Sequence, residues 1–220
     1  MYVSAQEANS DATPKPVDLF YHTVNESAHL YNGTEYIMYD QHIKGHPYFT
    51  VADFKPGSVF YDGTLYENVP MLYELTTDNV IIRRYNEGVL MDLINEKVSY
   101  FKLLDHLFIH LVPDSTNKNI ITNGFYDRIY NGKTAVYVKR AKITRDDPAT
   151  FDKAFQEDNK YFIYKNNTWY PVSDQGSVLK VFKEKKKDIS KYLRQNKIKF
   201  KKTPEYAIMK MAEYYDQITH

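Results

Sequence analysis

Between Tyr21 and Val172 the apolar and aromatic residues fall in short runs separated by turn-forming residues. Tyr-Asn-Gly stands at 31–33 and 130–132, and Tyr-Asp-Gly at 61–63. Asn-Gly and Asp-Gly readily take positive φ, as the two-residue turns of hairpins require. "GSVFYDGTLYEN" and "RIYNGKTAVYVKRAKI" therefore read as strand, tight turn, strand. In the second, Ala135, Tyr137 and Lys139 fall on one face and Val136, Val138 and Arg140 on the other. "VPMLYEL", "NVIIRRY", "KVSYFKLL" and "HLFIHLV" read as further strands, and "KYFIYKNNTWYPV" as a last hairpin turning at Asn166-Asn167. About ten strands joined mostly by short turns predict an antiparallel meander, not a parallel sheet with helical crossovers. "PDSTNKNIITNG" (113–124) reads as a polar loop, and "TRDDPATFDKAFQEDNK" (144–160) as a charged insertion with a short helix starting near Pro148.

Past Val172 the period becomes helical. Leu179, Phe182, Ile189 and Leu193 share one face of a helix predicted from a cap at Ser177 to about Asn196. Thr203-Pro204-Glu205 marks a second start, with a capping hydroxyl, a proline in the first turn and an acid near the positive helix end. Ile208, Met211, Ala212, Tyr215 and Ile218 form its stripe. The expected fold is mainly β (α+β): an antiparallel meander, rolled or barrel-like, with a C-terminal helical hairpin packed on it. Residues 21–172 are expected to form the β domain and 173–220 the hairpin, within one folding unit. Residues 1–20 read as a leader remnant and solvated arm, because "VSA" before Gln6 has the small-x-small form of a signal-peptidase site.

Composition sharpens this picture. The 21 tyrosines against 12 phenylalanines and one tryptophan suit pleated, half-buried surfaces. The chain has no cysteine, which excludes disulfides and thiolate chemistry. No run approaches the roughly 20 apolar residues of a membrane helix, so no transmembrane segment is expected. The net charge of +1 hides an asymmetry. Lys180–Lys202 holds eleven Lys or Arg against two acids, so the rest of the chain is acidic. On the first helix Lys183, Lys185, Lys186, Lys187 and Lys191 lie largely off the apolar face, with Glu184 and Asp188 three or four residues from lysines. Nucleic-acid recognition wants arginine forks and interleaved stacking aromatics. This stretch has one arginine, and Phe182, Tyr192 and Phe200 are spaced to pack inward. Nucleic acid is not expected as a partner. The five lysines read as a solvated coat, with docking to an acidic partner or an anionic envelope surface as the functional alternative.

Other chemistry is sparse. His42 and His46 are four apart but flanked by Gly45 and Pro47, which rules out a helix. His106 and His110 share a strand face with Phe108 and stand about 13 Å apart at strand rise, too far to hold one ion. No metal, cofactor or catalytic residue is assigned. Asp53, Asp62, Glu67, Glu74 and Asp78 could supply a carboxylate pair, but carboxylates near turns mostly serve turn geometry. Tyr61, Tyr66, Tyr73, Tyr85 and Tyr100 recur along the meander and form a candidate aromatic binding face. The competing reading is that alternate strand positions simply build the core.

Three stretches carry a resemblance. "HPYFTVADFKPGSVFYDGTLYENVPMLYELTTDNVII", "GFYDRIYNGKTAVYVKR" and "YFIYKNNTWYPVSDQGSVLKVFKEKKKDISKYLRQNKIKFKKTPEYAIMKMAEYYDQIT" resemble, in the same order, a group of signal-peptide-bearing secreted and envelope proteins of Bacteroidota. The similarity runs from about residue 28 to 219. That group has no established activity, so no site residue carries over. The resemblance implies export to the periplasm or outer surface, and that the basic helix belongs to the domain. The expected function is a non-catalytic binding or assembly module of the bacterial envelope, with another envelope protein or a polysaccharide as partner. One alternative is a carrier of an apolar or glycan ligand in a sheet-built pocket, betrayed by a tyrosine-lined cavity. Another is a hydrolase of envelope polysaccharide, betrayed by two close acids in a cleft. A filled core with a flat aromatic patch favours the module.

Overall fold

The computed structural model describes residues 30–39, 42–83, 89–146 and 152–219. The expected leader and arm, Tyr85 and the region around Pro148 lie outside these residues.

After a two-residue strand β1 (Thr34–Glu35), the first hairpin is β2 (Lys55–Tyr61) and β3 (Thr64–Glu74). Its turn residues Asp62 and Gly63 both take positive φ, as the sequence requires. "VPMLYEL" is not a separate strand but continues β3, which runs for 11 residues. Then come β4 (Asn79–Arg83), β5 (Leu90–Asp92), β6 (Val98–Leu103), β7 (His106–Leu111), β8 (Gly124–Asn131) and β9 (Ala135–Lys139). The charged insertion departs from expectation. Its described parts are two strands, β10 (Lys142–Asp146) and β11 (Lys153–Glu157), paired as a separate antiparallel ribbon. Ala154 and Phe155 are the half-buried residues of β11, and the cross-ribbon pairing runs from Lys142–Glu157 to Asp146–Lys153. The last hairpin, β12 (Lys160–Lys165) and β13 (Thr168–Val172), turns at Asn166 and Asn167, both at positive φ.

The main sheet has eleven strands in the order β1-β5-β4-β3-β2-β6-β7-β8-β9-β12-β13, and every pairing is antiparallel. The two end strands do not pair, so the sheet is rolled but not closed into a barrel. Both edges are blunted: β1 is very short and β13 carries Pro171. Aromatic contacts measure the roll. β3 and β7 stand three strand spacings apart, which would be about 14 Å in a flat sheet. Yet the rings of Tyr73 on β3 and Phe108 on β7 have centroids 4.8 Å apart. Tyr73 also reaches Phe101 at 5.1 Å and Phe125 on β8 at 6.1 Å. The concave side of this half is therefore filled by its own side chains, with Phe49, Val59, Tyr61, Met71 and Ile82 completing the cluster.

The concave side of the other half is filled by helices. α1 (Gln175–Val181) is capped by Asp174, whose carboxylate accepts the Ser177 amide at 2.8 Å. Ser177 is thus the reciprocal partner in a capping box, and not the cap. The helix expected to run on to Asn196 breaks at Phe182, passes through a 3-10 turn (Lys183–Lys185), and resumes as α2 (Lys186–Gln195). α3 (Pro204–Ile218) begins with proline in its first turn, as expected. Leu179, Phe182, Ile189, Leu193, Ile208, Met211, Ala212 and Tyr215 pack with Val136, Ile163 and Val172 of the sheet.

The "YNG" at 130–132 also differs from a two-residue hairpin. β8 and β9 are joined by Gly132–Thr134, because the Asp216 carboxylate of α3 docks there. It accepts the Thr134 amide at 2.9 Å and the Tyr130 hydroxyl at 3.0 Å. A Cβ on Gly132 would lie 2.4 Å from that carboxylate. The glycine makes room for a tertiary contact.

Helices and sheet are expected to unfold together. Ending the chain after Val172 returns Val136, Ile163 and Val172 to water, at roughly 1.5–3 kcal/mol for each side chain uncovered. The truncated chain should aggregate; a soluble fragment with a native-like cooperative melt would refute this.

Candidate binding surfaces and the buried charges behind them

The five tyrosines proposed as an aromatic face are not brought together at the surface. Tyr61 and Tyr73 are completely buried in the concave cluster, and Tyr66 packs against it half-buried. Tyr100 is half-buried and stacks on Phe60 with centroids 5.5 Å apart. Tyr85 lies outside the described residues. The core reading accounts for Tyr61 and Tyr73.

A different aromatic group occupies the side of the sheet turned away from the helices. Trp169 on β13 lies 4.9 Å from Tyr164 on β12 and 4.9 Å from Tyr137 on β9. All three are half-buried. They fall where period-two alternation sends them, since Val136 and Ile163 face the helices. Arg128 is directly opposite Tyr137 on β8. The same side carries the cross-strand row Leu65, Phe60, Tyr100, Ile109 and Tyr126. Tyr126 is sealed by the loop before β8: its hydroxyl accepts the Thr122 amide at 3.0 Å, and Ile121 packs on it. Single-sequence reading missed the Trp169 group because it comes from strands far apart in the chain.

Behind these surfaces lie ionic clusters. Asp127 is buried on β8. It accepts Arg140 through Nε at 3.0 Å and Nη2 at 2.5 Å, and meets His106 Nδ1 at 2.7 Å. Arg140 also donates to both oxygens of Glu205 at the start of α3, at 2.5 and 2.8 Å. Burial opposes the guanidinium charge, but the Glu205 hydrogen bonds and the Asp127 charge outweigh it and hold Arg140 above its usual range. In a second cluster Asp78 accepts the Tyr73 hydroxyl at 2.5 Å, Lys139 Nζ at 2.5 Å and the Phe125 amide at 3.1 Å. Burial pushes Lys139 down from the ordinary lysine value, and Asp78 offsets only part of that. Burial and then Asp78 push the Tyr73 hydroxyl well above its usual value. Gly124 permits the approach: a Cβ there would fall 2.0 Å from Asp78 Oδ2.

The other candidate groups serve turns and neighbours. Glu74 is fully buried and its carboxylate accepts the Thr76 and Thr77 amides at 2.8 and 3.0 Å. Asp62 pairs with Lys97 at 2.8 Å and Asp53 stands 4.0 Å from Lys55, while Glu67 is exposed. His110 bonds Asn123 at 2.9 Å while His106 bonds Asp127, so the two histidines work separately. Among the described residues no group of three or more His, Asp or Glu is placed to hold a metal ion. No described helix is long and apolar enough to cross a membrane.

The basic stretch is more divided than its sequence implies. Lys183, Lys186, Lys187 and Lys191 are exposed and Lys185 is half-buried. Glu184 does not pair with a lysine on its own helix. It accepts Lys165 of β12 at 2.5 Å and the Tyr215 hydroxyl at 2.5 Å. Lys165 in turn sits 4.5 Å from the Tyr215 ring centroid. Burial would raise the Glu184 carboxyl, but the Lys165 and Tyr215 hydrogen bonds prevail and bring it down to about 2 from an ordinary 4.5. Two clefts flank the start of α3. One, of ≈ 430 Å³, is bordered by Arg140, Glu157, Asn159, Tyr161, Glu205 and Tyr206. The other, of ≈ 390 Å³, is bordered by Tyr192, Asn196, Lys197, Lys199, Lys202 and Tyr206.

No protein-family model, curated protein or solved structure matches this chain.

Glu184 gives a pH dependence with a definite sign. Its folded carboxyl titrates below the unfolded one, so its contribution is present above about pH 4.5 and is lost as pH falls toward 2. Thermal melts between pH 6 and pH 3 should fall less steeply for Glu184→Gln than for the parent. Parallel profiles would show that this contact does not couple to stability.

Proposed function

We propose that the chain is a non-catalytic binding or assembly module of the bacterial cell envelope, working through the uncovered side of its sheet. The carrying observation is the pairing of a filled concave side with an aromatic patch on the opposite side. Tyr73, Phe101, Phe108 and Phe125 occupy the space where a carrier would hold its ligand. Trp169, Tyr164 and Tyr137 instead offer adjoining half-exposed rings near the β13 edge. Large aromatics with a polar handle suit protein interfaces, where one end is dry and the other wet. Arg128 supplies a charge beside them.

The acids support a surface role over a hydrolytic one. Asp127 and Glu205 are both engaged by Arg140, and Asp78 by Lys139 and Tyr73. These carboxylates are taken up by fixed basic and hydroxyl partners, whereas glycoside hydrolysis needs two acids facing a substrate at a defined separation. The envelope setting is supported by the resemblance to exported Bacteroidota proteins. The partner proposed is another envelope protein.

Replacing Trp169 and Tyr137 by alanine tests this reading. Central aromatic anchors commonly contribute about 2 kcal/mol or more. Capture of partners from solubilised envelope membranes should therefore fall sharply, with a cooperative melt retained. Undiminished capture by the folded double variant would sink the proposal.

A further inference from the structure

The two clefts at the start of α3 share Thr203 and Tyr206 as lining residues, so they adjoin across that aromatic side chain. Tyr206 is 47% exposed, the one large aromatic so open among the described residues. Each cleft lies within the roughly 300–1,000 Å³ typical of ligand sites. The cleft toward α2 has three exposed lysines, Lys197, Lys199 and Lys202, and no acid among the residues lining it. It also has the amide of Asn196 and the hydroxyl of Thr203. The cleft toward the sheet adds a half-buried Tyr161 and two acids, Glu205 paired with Arg140 and Glu157 accepting from Asn159, so the positive charge of the groove sits in the cleft toward α2.

We propose that this paired groove binds an anionic polysaccharide, with Tyr206 as its stacking platform and Lys197, Lys199 and Lys202 pairing with the acid groups of the chain. The residue types fit the parts of such a ligand. A flat ring matches the apolar face of a sugar, amides and hydroxyls match its hydroxyl groups, and lysines match carboxylates set along its length. Lysine suits this ligand because its ammonium acts as a point charge on a flexible stem and follows carboxylates at variable spacing. The length of the groove, two adjoining clefts, favours an oligomer over a single sugar.

Other polyanions fit less well. Docking to a lipid surface draws on apolar side chains that enter the interface beside the lysines. The exposed aliphatic residues Ile37, Met38, Leu65, Leu104 and Val112 all lie on the β part of the chain, away from this groove. Single-stranded nucleic acid uses successive aromatic platforms and arginine, whereas Tyr192 is already stacked on Tyr214 at 4.1 Å and no arginine borders the basic cleft. The lysines singled out from sequence are also not those of the groove. Lys183, Lys185, Lys186, Lys187 and Lys191 precede it, and its three lysines come from the linker between α2 and α3.

The groove is separate from the Trp169 patch, and its test is independent. Hexamers of galacturonic acid and of mannuronic acid are titrated into the full chain by calorimetry, beside neutral maltohexaose, poly-glutamate, phosphatidylglycerol vesicles and a single-stranded oligonucleotide. At least one uronate hexamer should bind, and maltohexaose should not. Tyr206→Ala should weaken uronate binding about tenfold or more, equal to about 1.4 kcal/mol, while Tyr206→Phe retains it. The Lys197, Lys199 and Lys202 triple change to Gln should weaken it comparably. Changing Lys185, Lys186 and Lys187 to Gln should alter it less than about twofold, the scale of screened distant charges. Trp169→Ala should leave it unchanged, which separates this result from that of the envelope capture. Failure of both uronates to bind, equal or tighter binding of poly-glutamate, vesicles or oligonucleotide, or undiminished binding by a folded Tyr206→Ala variant would overturn the proposal.

Discussion

Tyr73 stands where the open sheet curls back over itself. Its ring touches Phe101, Phe108 and Phe125, three residues from three successive strands, and its hydroxyl meets Asp78 just beyond the next turn. Those contacts exist only if the sheet coils strongly enough to bring β3 over β8. Strand twist supplies a tendency to coil, but side chains fix its extent. Asp78 ties the curl by accepting the Phe125 amide and the Lys139 ammonium from the far side of the roll. The arrangement is coupled: the ion pair is stable there because the rings exclude water, and the rings meet because the ion pair holds the strand ends. Asp78 and Lys139 keep 20% and 15% of their side-chain surface exposed, so removing one leaves the other half-buried, at less than the roughly 3–5 kcal/mol of a fully buried pair.

From that curl the position of the helices follows. The tightly rolled half fills its own concavity, so the helices pack where the sheet opens, against Val136, Ile163 and Val172. α3 is held at both ends. Glu205 in its first turn meets Arg140, and Asp216 in its last turn accepts Tyr130 and Thr134. An acid near the last turn is unfavourable to the helix dipole, and here the two hydrogen bonds offset that cost. A 15-residue helix spans about 22 Å, so pinning its ends fixes its register on β8 and β9. The residue beside the first pin is Tyr206, which gives a surface tyrosine a rigid base.

Local patterns were readable in the sequence, and contacts between distant segments were not. The Asp62-Gly63 and Asn166-Asn167 turns depend on the φ preferences of two residues, and both are where the sequence places them. The stripes of α2 and α3 depend on spacing alone, and they are buried as expected except for Ile218, which is half-buried at the end of α3. The turn at Gly132 was misread because the requirement there is space for Asp216, a residue 84 positions away. Ser177 has the residue type of a cap, but Asp174 three positions earlier takes that place and leaves Ser177 as its reciprocal partner. The break at Phe182 has a tertiary cause: it lets Glu184 turn toward Lys165 and Tyr215 in place of a lysine on its own helix. Tyr61 and Tyr73 recur along the meander like half-buried Tyr66 and Tyr100, and composition does not distinguish the faces of a strongly curled sheet.

The inward turn of Glu184 also changes the electrostatics of the surface. In sequence it is one of two acids diluting eleven basic residues. In the fold its charge is taken up by Lys165, a residue outside that stretch. Asp188 and the partly exposed Glu184 are the two acids among exposed Lys183, Lys186, Lys187, Lys191, Arg194, Lys197, Lys199, Lys201 and Lys202, and only Glu184 is paired with Lys165. The hairpin face is therefore more positive than its composition suggests, while most acidic residues of the chain precede residue 173. Segregated charge of this kind steers an anion toward one side of a molecule whose total charge is near zero. Lysines on an open helix face feel the screened potential, with a reach of about 8–10 Å at physiological ionic strength. Those bordering a cleft act on a ligand already partly removed from water, where the same charge has a stronger effect. Position in the fold, and not the number of lysines, thus distinguishes the linker between α2 and α3 from the longer lysine run before it.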